Sequence, residues 1–565
     1  MGEGESENRK AMSKDFLIRK DGFRLSSEFI LILLFFTIGL FIRLYRLWGP
    51  SLWVDEIITA QWIDHSLLST ISILRQWEFP PFYYIILNLW AHVFGYSEWV
   101  LRFPSAIFSS LTIIVVYKLG KEIFSEGVGS IAAVLLVFSP FAINYAQDAK
   151  MYALFWFLEA ASFLFFFRYL KDQKANAYRW YVITSVLSCY TMYTGFLLLA
   201  AQYVIVLLMK DKEGSRKWVK GQLVVVLSCA PWIIYFLCSR HASWDLRSSI
   251  AVFDYSKFFL RSFLSIIGGS LDHWGKINCF LYGFLITFSL IDILIGSYKN
   301  KKTGLPLSTH YYGLLIWLTV PVFIYWFFDR FFFHAILFAR YIGFLQIPLI
   351  LLVGSQINHF NGFIKKVLLV IMVLIAMNNT YLYFKYDLKY ADGDWRSTAQ
   401  EFPQNIGEND IVLSFVEIPF FKYYYKGDTH RFFMLPVKVR SEYFGPVARS
   451  SFRGLDAIRG TILDPNNKNG VWEDASPSQV RLKPDILLKE DDIQEIAKGD
   501  SDQMLSILIQ SYLVKSGIIG ERVHSVFILY RSLLAPDIKL NGFHLDRRVS
   551  NRGMGYLHFK RVLSH

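Results

Sequence analysis

Two carboxylates stand side by side, Asp55 and Glu56, in the run Ser51-Leu52-Trp53-Val54-Asp55-Glu56. Glu78 comes directly before Phe79-Pro80-Pro81-Phe82-Tyr83-Tyr84, Arg102 lies in Leu101-Arg102-Phe103-Pro104, and Gln147-Asp148-Ala149-Lys150-Met151-Tyr152 puts an acid two residues from a base. Carboxylates of this kind suit a general base, or oxygen ligation of a hard divalent cation. Arg and Lys suit a phosphate. Each residue also has an ordinary explanation. An acid in a loop is usually just solvated, a basic residue at a helix end anchors it by snorkelling, and Pro80-Pro81 opens a helix. Residue types alone give an acid-base cluster suited to a proton and a phosphate, without naming a reaction.

The elements that must position these residues are set by the solvent. Of 565 residues 54% are hydrophobic, 18% aromatic and only 19% charged. That is too apolar for a soluble surface, since average globular chains carry about 25% charged residues. The four cysteines (Cys189, Cys229, Cys238 and Cys279) lie in or beside apolar runs, which excludes a disulfide-stapled secreted fold or a Cys-based zinc module. Stretches near the ~20 residues needed to cross a bilayer occur at about 29–47, 102–119, 127–144, 152–168, 180–195, 197–209, 221–238, 278–297, 308–328, 340–355 and 363–379. The fold class expected is a polytopic α-helical membrane protein of about eleven spans. The piece from Phe82 to Phe94 in the long first outer loop (48–101) is too short to cross and is expected to lie at the interface.

Charge placement orients the chain. Residues 1–28 hold Arg9, Lys10, Lys14, Arg19, Lys20 and Arg24, which places the N-terminus in the cytoplasm. With alternating spans, five short loops (118–126, 168–179, 210–220, 299–302 and 365–366) carry sixteen Lys and Arg. The net charge of +13 is therefore topology, and nucleic acid is excluded as a partner. Asp55, Glu56, Glu78, Arg102, Asp148 and Lys150 then all fall at the outer face. An odd number of spans puts the tail outside as well. That tail, 390–565, is more polar, with strand-like Ile411–Val416 and Val526–Tyr530 and helical stretches at 492–497 and 503–515. It reads as an extracytoplasmic α/β domain after a membrane domain at 29–389.

The ordered set Leu-Trp-Val-Asp-Glu, Pro-Pro-Phe-Tyr-Tyr, Leu-Arg-Phe-Pro-Ser-Ala, Ser139-Pro140 and Gln-Asp-Ala-Lys-Met-Tyr resembles the GT-C glycosyltransferases. Within them it is similar to the branch holding the protein O-mannosyltransferases and the lipid A aminoarabinose transferase. Pro231-Trp232, Arg340-Tyr341 with Pro348 downstream, and Asp394-Trp395-Arg396 extend the resemblance over about 29–425. It implies Asp55 as the catalytic base, with Glu56 beside it, and Asp148 as an acid that orients the acceptor or supports the base. Glu78 falls where some members bind a divalent metal. Arg102, Lys150, Arg340, Tyr341, Tyr84 and, more weakly, Arg240 and Arg247 are the residues for the donor and its lipid phosphate. Lys150 replaces a usual Arg, which keeps charge and loses bidentate geometry. Phe79 and Met192 stand where many relatives have His, so a histidine metal ligand is in doubt.

The activity implied is inverting transfer of a sugar from a polyprenyl-phosphate donor to an acceptor hydroxyl (on a protein, lipid or glycan) at the extracytoplasmic face, with no nucleotide cofactor. Two alternatives stay open: a transporter or flippase of lipid-linked sugars, and a non-catalytic binder. A transporter would want deep ionisable groups and usually a repeat. No internal repeat is found, and Glu159 is the one deep carboxylate.

Overall fold

The structure is a computed structural model and describes residues 26–77, 79–208, 212–238, 263–267, 273–303, 309–328, 339–385, 394–407, 409–414, 418–427, 432–434, 523–530, 539–540, 543–551 and 554–562. The chain divides into two compact units. One comprises Met1–Leu47, Thr59–Trp244 and Phe253–Tyr386; the other comprises Trp48–Ile58, Asp245–Val252 and Asp387–His565.

The first unit is helical: α1 (Ser27–Leu44), α2 (Val54–Ile63, which begins in the other unit), α3 (Leu67–Gln76), α4 (Phe82–Phe94), α5 (Glu98–Ile123), α6 (Glu126–Val137), α7 (Pro140–Ala146), α8 (Tyr152–Asp172), α9 (Ala175–Thr191), α10 (Gly195–Leu208), α11 (Lys212–Cys238), α12 (His273–Thr303), α13 (Thr309–Phe328), α14 (Ala339–Ile342), α15 (Gln346–His359) and α16 (Gly362–Lys385). Each of the eleven apolar stretches is helical over most of its described residues. Among the described residues six helices are long and apolar enough to cross a membrane, or seven with the bent pair α6–α7. The expected count of about eleven is therefore not reached by length and composition. Of the remaining apolar runs, α9 and α10 have 17 and 14 residues and each falls below a full span. This is a multi-pass integral membrane protein.

Apolar side chains point outward as well as inward, as lipid requires. Phe29, Leu33, Leu34 and Phe41 of α1 are exposed, whereas Arg43 on the same helix is fully buried. Its guanidinium donates to Ser109 Oγ (2.8 Å), Gly39 O (3.1 Å), Leu136 O (3.1 Å) and Val137 O (3.3 Å). Leu136 and Val137 end α6, where the chain bends by 61° into α7. A helix end in lipid leaves carbonyls without water, so a buried cation with a fork of donors meets both needs. Ser139 caps the restart, its hydroxyl accepting from Ala142 N–H at 3.2 Å with Pro140 at the first position. Helices α5 and α6 touch through glycines: a Cβ on Gly120 would lie 2.7 Å from Gly129 Cα, so only small residues permit this approach.

The short helices α2, α3 and α4 are stitched by one buried amide. Asn88 Nδ2 donates to Ile63 O (2.9 Å), His65 O (2.8 Å) and Thr70 Oγ1 (3.1 Å). Pro80-Pro81 precedes α4 and opens it, as expected from proline's fixed φ and missing N–H.

The second unit holds a five-stranded mixed sheet of β1 (Asp410–Ser414), β2 (Phe432–Met434), β3 (Ser525–Tyr530), β4 (Phe543–Asn551) and β5 (Met554–Arg561), in the order β2-β1-β3-β5-β4. β1 runs parallel to β2 and β3, and β5 antiparallel to β3 and β4. The helices α17 (Trp395–Glu401) and α18 (Ile418–Tyr424) accompany it. Phe402 centres the core, with its ring 4.9–5.8 Å from those of Phe421, Tyr425, Phe432, Phe527 and Tyr556. The strand-like runs of the sequence match β1 and β3. The helical stretches expected at 492–497 and 503–515 lie outside the described residues.

Candidate active site

In the membrane unit three sequence motifs meet at one buried turn. α7 ends at Ala146, α8 begins at Tyr152, and the residues between them are almost wholly enclosed: Gln147, Asp148 and Lys150 are 3–4% exposed and Ala149 is fully buried. Tyr83 and Tyr84 come from the Pro-Pro-Phe-Tyr-Tyr motif on α4, and Ser105 from the Arg-Phe-Pro-Ser motif on α5. Ser105 Oγ donates to Lys150 O at 3.3 Å and accepts from Tyr83 OH at 3.2 Å. Tyr84 OH donates to Met151 Sδ at 3.8 Å.

Lys150 points into aromatic rings. Its Nζ lies 5.8 Å from the Trp62 centroid, 5.9 Å from Tyr84 and 6.0 Å from Phe79. The three rings pack on one another at 5.2–6.1 Å, and Trp77 stands 5.9 Å behind Trp62. Ring faces attract a cation electrostatically, more strongly where water is excluded. Phe79 thus forms one wall of a cation box.

The residue before Asp148 is bonded three times. Gln147 Nε2 donates to Arg43 O (3.0 Å) and Tyr45 O (2.8 Å), and Gln147 Oε1 accepts from Tyr383 OH (3.2 Å). Arg102 is also buried and donates from Nη1 to Leu47 O at 3.2 Å, a tie inside the protein where the sequence offered snorkelling to the interface as the ordinary role. Arg340 lies with its guanidinium carbon 5.3 Å over the Tyr341 ring, and Tyr341 meets Tyr152 edge-on at 6.4 Å. Tyr84, Asp148, Lys150 and the Arg340–Tyr341 pair are therefore linked through the start of α8.

Asp55 and Glu56 belong to the second unit, in the first turn of α2. Glu56 is fully buried, with Oε2 accepting from Trp53 N–H at 3.3 Å; Asp55 is half-buried. Glu78, Arg240 and Arg247 lie outside the described residues. Among the described residues no three His, Cys, Asp or Glu gather where a metal could sit.

Glu159 is fully buried within the bundle, and Trp317 Nε1 donates to its Oε1 at 2.6 Å while the Trp317 ring stacks 3.5 Å from Phe163. The one deep carboxylate of the sequence thus bonds helix α8 to helix α13. Sequence reading missed Arg43, Gln147, Trp62 and Trp317, for which the available signals were polar side chains inside apolar runs and the adjacency of Gln147 to Asp148.

A family model described as dolichyl-phosphate-mannose-protein mannosyltransferase matches residues 78–235, which hold the Pro-Pro-Phe-Tyr-Tyr, Arg-Phe-Pro-Ser and Gln-Asp-Ala-Lys-Met-Tyr runs. The chain resembles the protein O-mannosyltransferase and aminoarabinose transferase branch of the GT-C glycosyltransferases. It is 22% identical over 313 residues to undecaprenyl phosphate-alpha-4-amino-4-deoxy-L-arabinose arabinosyl transferase 2 of Proteus mirabilis (strain HI4320), covering 52% of this chain and 53% of that protein. The chain thus spans about half the length of this curated relative. Two crystal structures of ArnT from Cupriavidus metallidurans share the fold. The apo form has a TM-score of 0.52 at 12% identity, covering 94% of this chain and 98% of that one. The form bound to undecaprenyl phosphate has a TM-score of 0.50 at 11% identity, covering 93% and 97%.

Proposed function

We propose that this protein transfers a sugar from a polyprenyl-phosphate donor to an acceptor hydroxyl, with inversion at the anomeric carbon, at the extracytoplasmic face. The observation that carries the reading is the buried turn Gln147–Met151, where Lys150 sits boxed by Trp62, Phe79 and Tyr84 beside Asp148. The curated relative is named as an arabinosyl transferase, and the structure described as bound to undecaprenyl phosphate shares the fold, which favours this reading over a flippase.

In this mechanism Asp55 takes the proton of the acceptor hydroxyl as its oxygen attacks the anomeric carbon. The bond from that carbon to the phosphate oxygen breaks on the opposite face, and the lipid phosphate leaves with the electron pair. A positioned general base contributes about 10²–10⁴-fold. Fixed positive charge at the leaving phosphate stabilises the developing negative charge. Lys150 and Arg340 supply it, with Arg102 and Arg247 as further candidates, Tyr84 and Tyr341 shape the donor site, and Asp148 supports the base. Glu56 caps the turn that bears Asp55. A divalent cation at Glu78 is a separate proposal, tested by chelation. Hexosyl or pentosyl donors both suit the site, and the acceptor is a protein, lipid or glycan hydroxyl. The basic residues of 1–28 favour a cytoplasmic N-terminus, with the sheet domain outside.

The test is polyprenyl phosphate release by lipid-reconstituted protein offered a panel of polyprenyl-phosphate sugars and acceptors, with and without chelator. Release from one donor, lost in Asp55→Asn, is expected. Release undiminished in Asp55→Asn removes Asp55 as the base. Donor translocation across sealed vesicles without release would replace the transferase reading by the flippase.

A further inference from the structure

The sheet domain has no role in the chemistry above, yet it is bonded to the segment that carries the proposed base. Residues Trp48–Leu52 run directly into α2, where Asp55 sits three residues beyond Leu52. Within the second unit that segment is held at four backbone or side-chain atoms. Arg396 donates to Trp48 O (3.4 Å) and Gly49 O (2.5 Å), Trp395 N–H donates to Ser51 Oγ (3.2 Å), and Leu52 N–H donates to Tyr424 OH (2.8 Å). Leu52 is fully buried and Ser51 is buried.

The anchoring residues are themselves fixed by the domain's core. Asp394 caps α17, accepting from Ser397 N–H (3.1 Å) and Ser397 Oγ–H (2.8 Å). That cap sets the angle of Trp395 and Arg396. Trp395 is fully buried and meets Phe420 of α18 edge-on at 6.4 Å. Tyr424 ends α18, one residue before Tyr425, whose ring packs on Phe402 and Phe432. The path from sheet core to Asp55 is thus short and made of directed bonds: core, α17 and α18, the Trp48–Leu52 segment, then the first turn of α2. Along it, Glu56 closes the turn by accepting from Trp53 N–H.

We propose that the sheet domain is a positioning element for Asp55, acting through Arg396, Trp395 and Tyr424 on Trp48–Leu52. This rests on the reading of Asp55 as the base. A base must lie within hydrogen-bond reach of the hydroxyl it deprotonates, and a misplacement of about 1 Å costs up to ~100-fold. Backbone carbonyls and an amide near a loop's end are where such placement is fixed, because they leave the chain itself no freedom to shift.

The experiment uses the full-length protein in lipid. Arg396→Ala and Tyr424→Phe, singly and together, are compared with Asp55→Asn and with the triple variant. The double variant is expected to lose about 10- to 100-fold in kcat with the donor KM within about twofold. The triple variant is expected to be no slower than Asp55→Asn alone, because a residue acting through Asp55 has nothing left to position. Hydrogen exchange of the 48–58 peptide rises in the double variant while that of β3 and β5 stays unchanged, which shows that the domain still folds. Wild-type kcat in the double variant, or losses that multiply with Asp55→Asn, overturns the positioning role. Full activity in Asp55→Asn overturns the base itself, a different result from the first.

Discussion

Replacing Lys150 by Met separates charge from packing at the candidate site. The two side chains are close in length, so the box of Trp62, Phe79 and Tyr84 stays filled while the positive charge goes. Lys150 is 4% exposed, so a phosphate brought near it meets little screening water. Two unit charges 4 Å apart at an effective dielectric of 20 interact by about 4 kcal/mol. Mutational losses of one stabilising group at a developing charge run to about 10²–10³-fold in kcat. The expected loss for Lys150→Met is therefore about 100- to 1,000-fold in kcat, read as polyprenyl phosphate release at saturating donor. The three ring contacts at 5.8–6.0 Å that are lost contribute roughly 0.5–2 kcal/mol each, so the melting temperature is read beside the rate. Lys150→Arg keeps the charge but adds volume to a closed box, at about 1–3 kcal/mol, and is expected to be less stable than Lys150→Met and only partly active. Release by Lys150→Met within threefold of wild type would refute the assignment of Lys150 to the leaving phosphate.

Other outcomes follow from the same geometry. Glu159→Gln keeps an acceptor for Trp317 and should unfold in detergent at nearly the wild-type temperature, whereas Glu159→Ala strands a buried N–H at about 1–3 kcal/mol and opens a void; equal damage from both would show that the charge itself matters. Gln147→Met removes the bonds to Arg43 O, Tyr45 O and Tyr383 OH and should lower kcat by about tenfold or more, while Tyr383→Phe, which deletes one of the three, costs less. In the sheet domain, burial lowers the His558 imidazole below its ordinary 6.5, outweighing the pull of Asp546 at 3.1 Å. The unfolded chain then takes up a proton more readily than the folded one, so stability is complete above about pH 6.5 and falls as pH drops through it. Hydrogen-exchange protection of β4 and β5, compared at about pH 7.5 and 5.5 after correction for intrinsic rates, should fall in the wild type and stay level in His558→Gln.

What the sequence determined by itself follows from local rules. Apolar runs in lipid must become helices, since no water is there to bond an open backbone, and each of the eleven runs did over most of its described residues. Pro80-Pro81 could only open α4, and the alternating β-rich runs at 411–416 and 526–530 could only pair. Asp148 and Lys150 were legible as an acid and a base on one short turn, because neighbours in sequence stay neighbours in space. The tertiary structure decided everything that depends on residues distant in the chain. Phe79, read from the sequence as a lost ligand, became a wall of the Lys150 box once α4 brought it to a turn seventy residues away. Arg43, an unremarked charge in an apolar run, became the group that satisfies the broken end of α6, because Leu136 and Val137 arrive there only when α1 and α6 pack. Asp394-Trp395-Arg396 was a motif without a task until the folded sheet domain bonded it to Trp48–Leu52. Hydropathy and spacing record what a residue needs from its solvent, whereas its partners are set by packing, which a one-dimensional pattern does not encode.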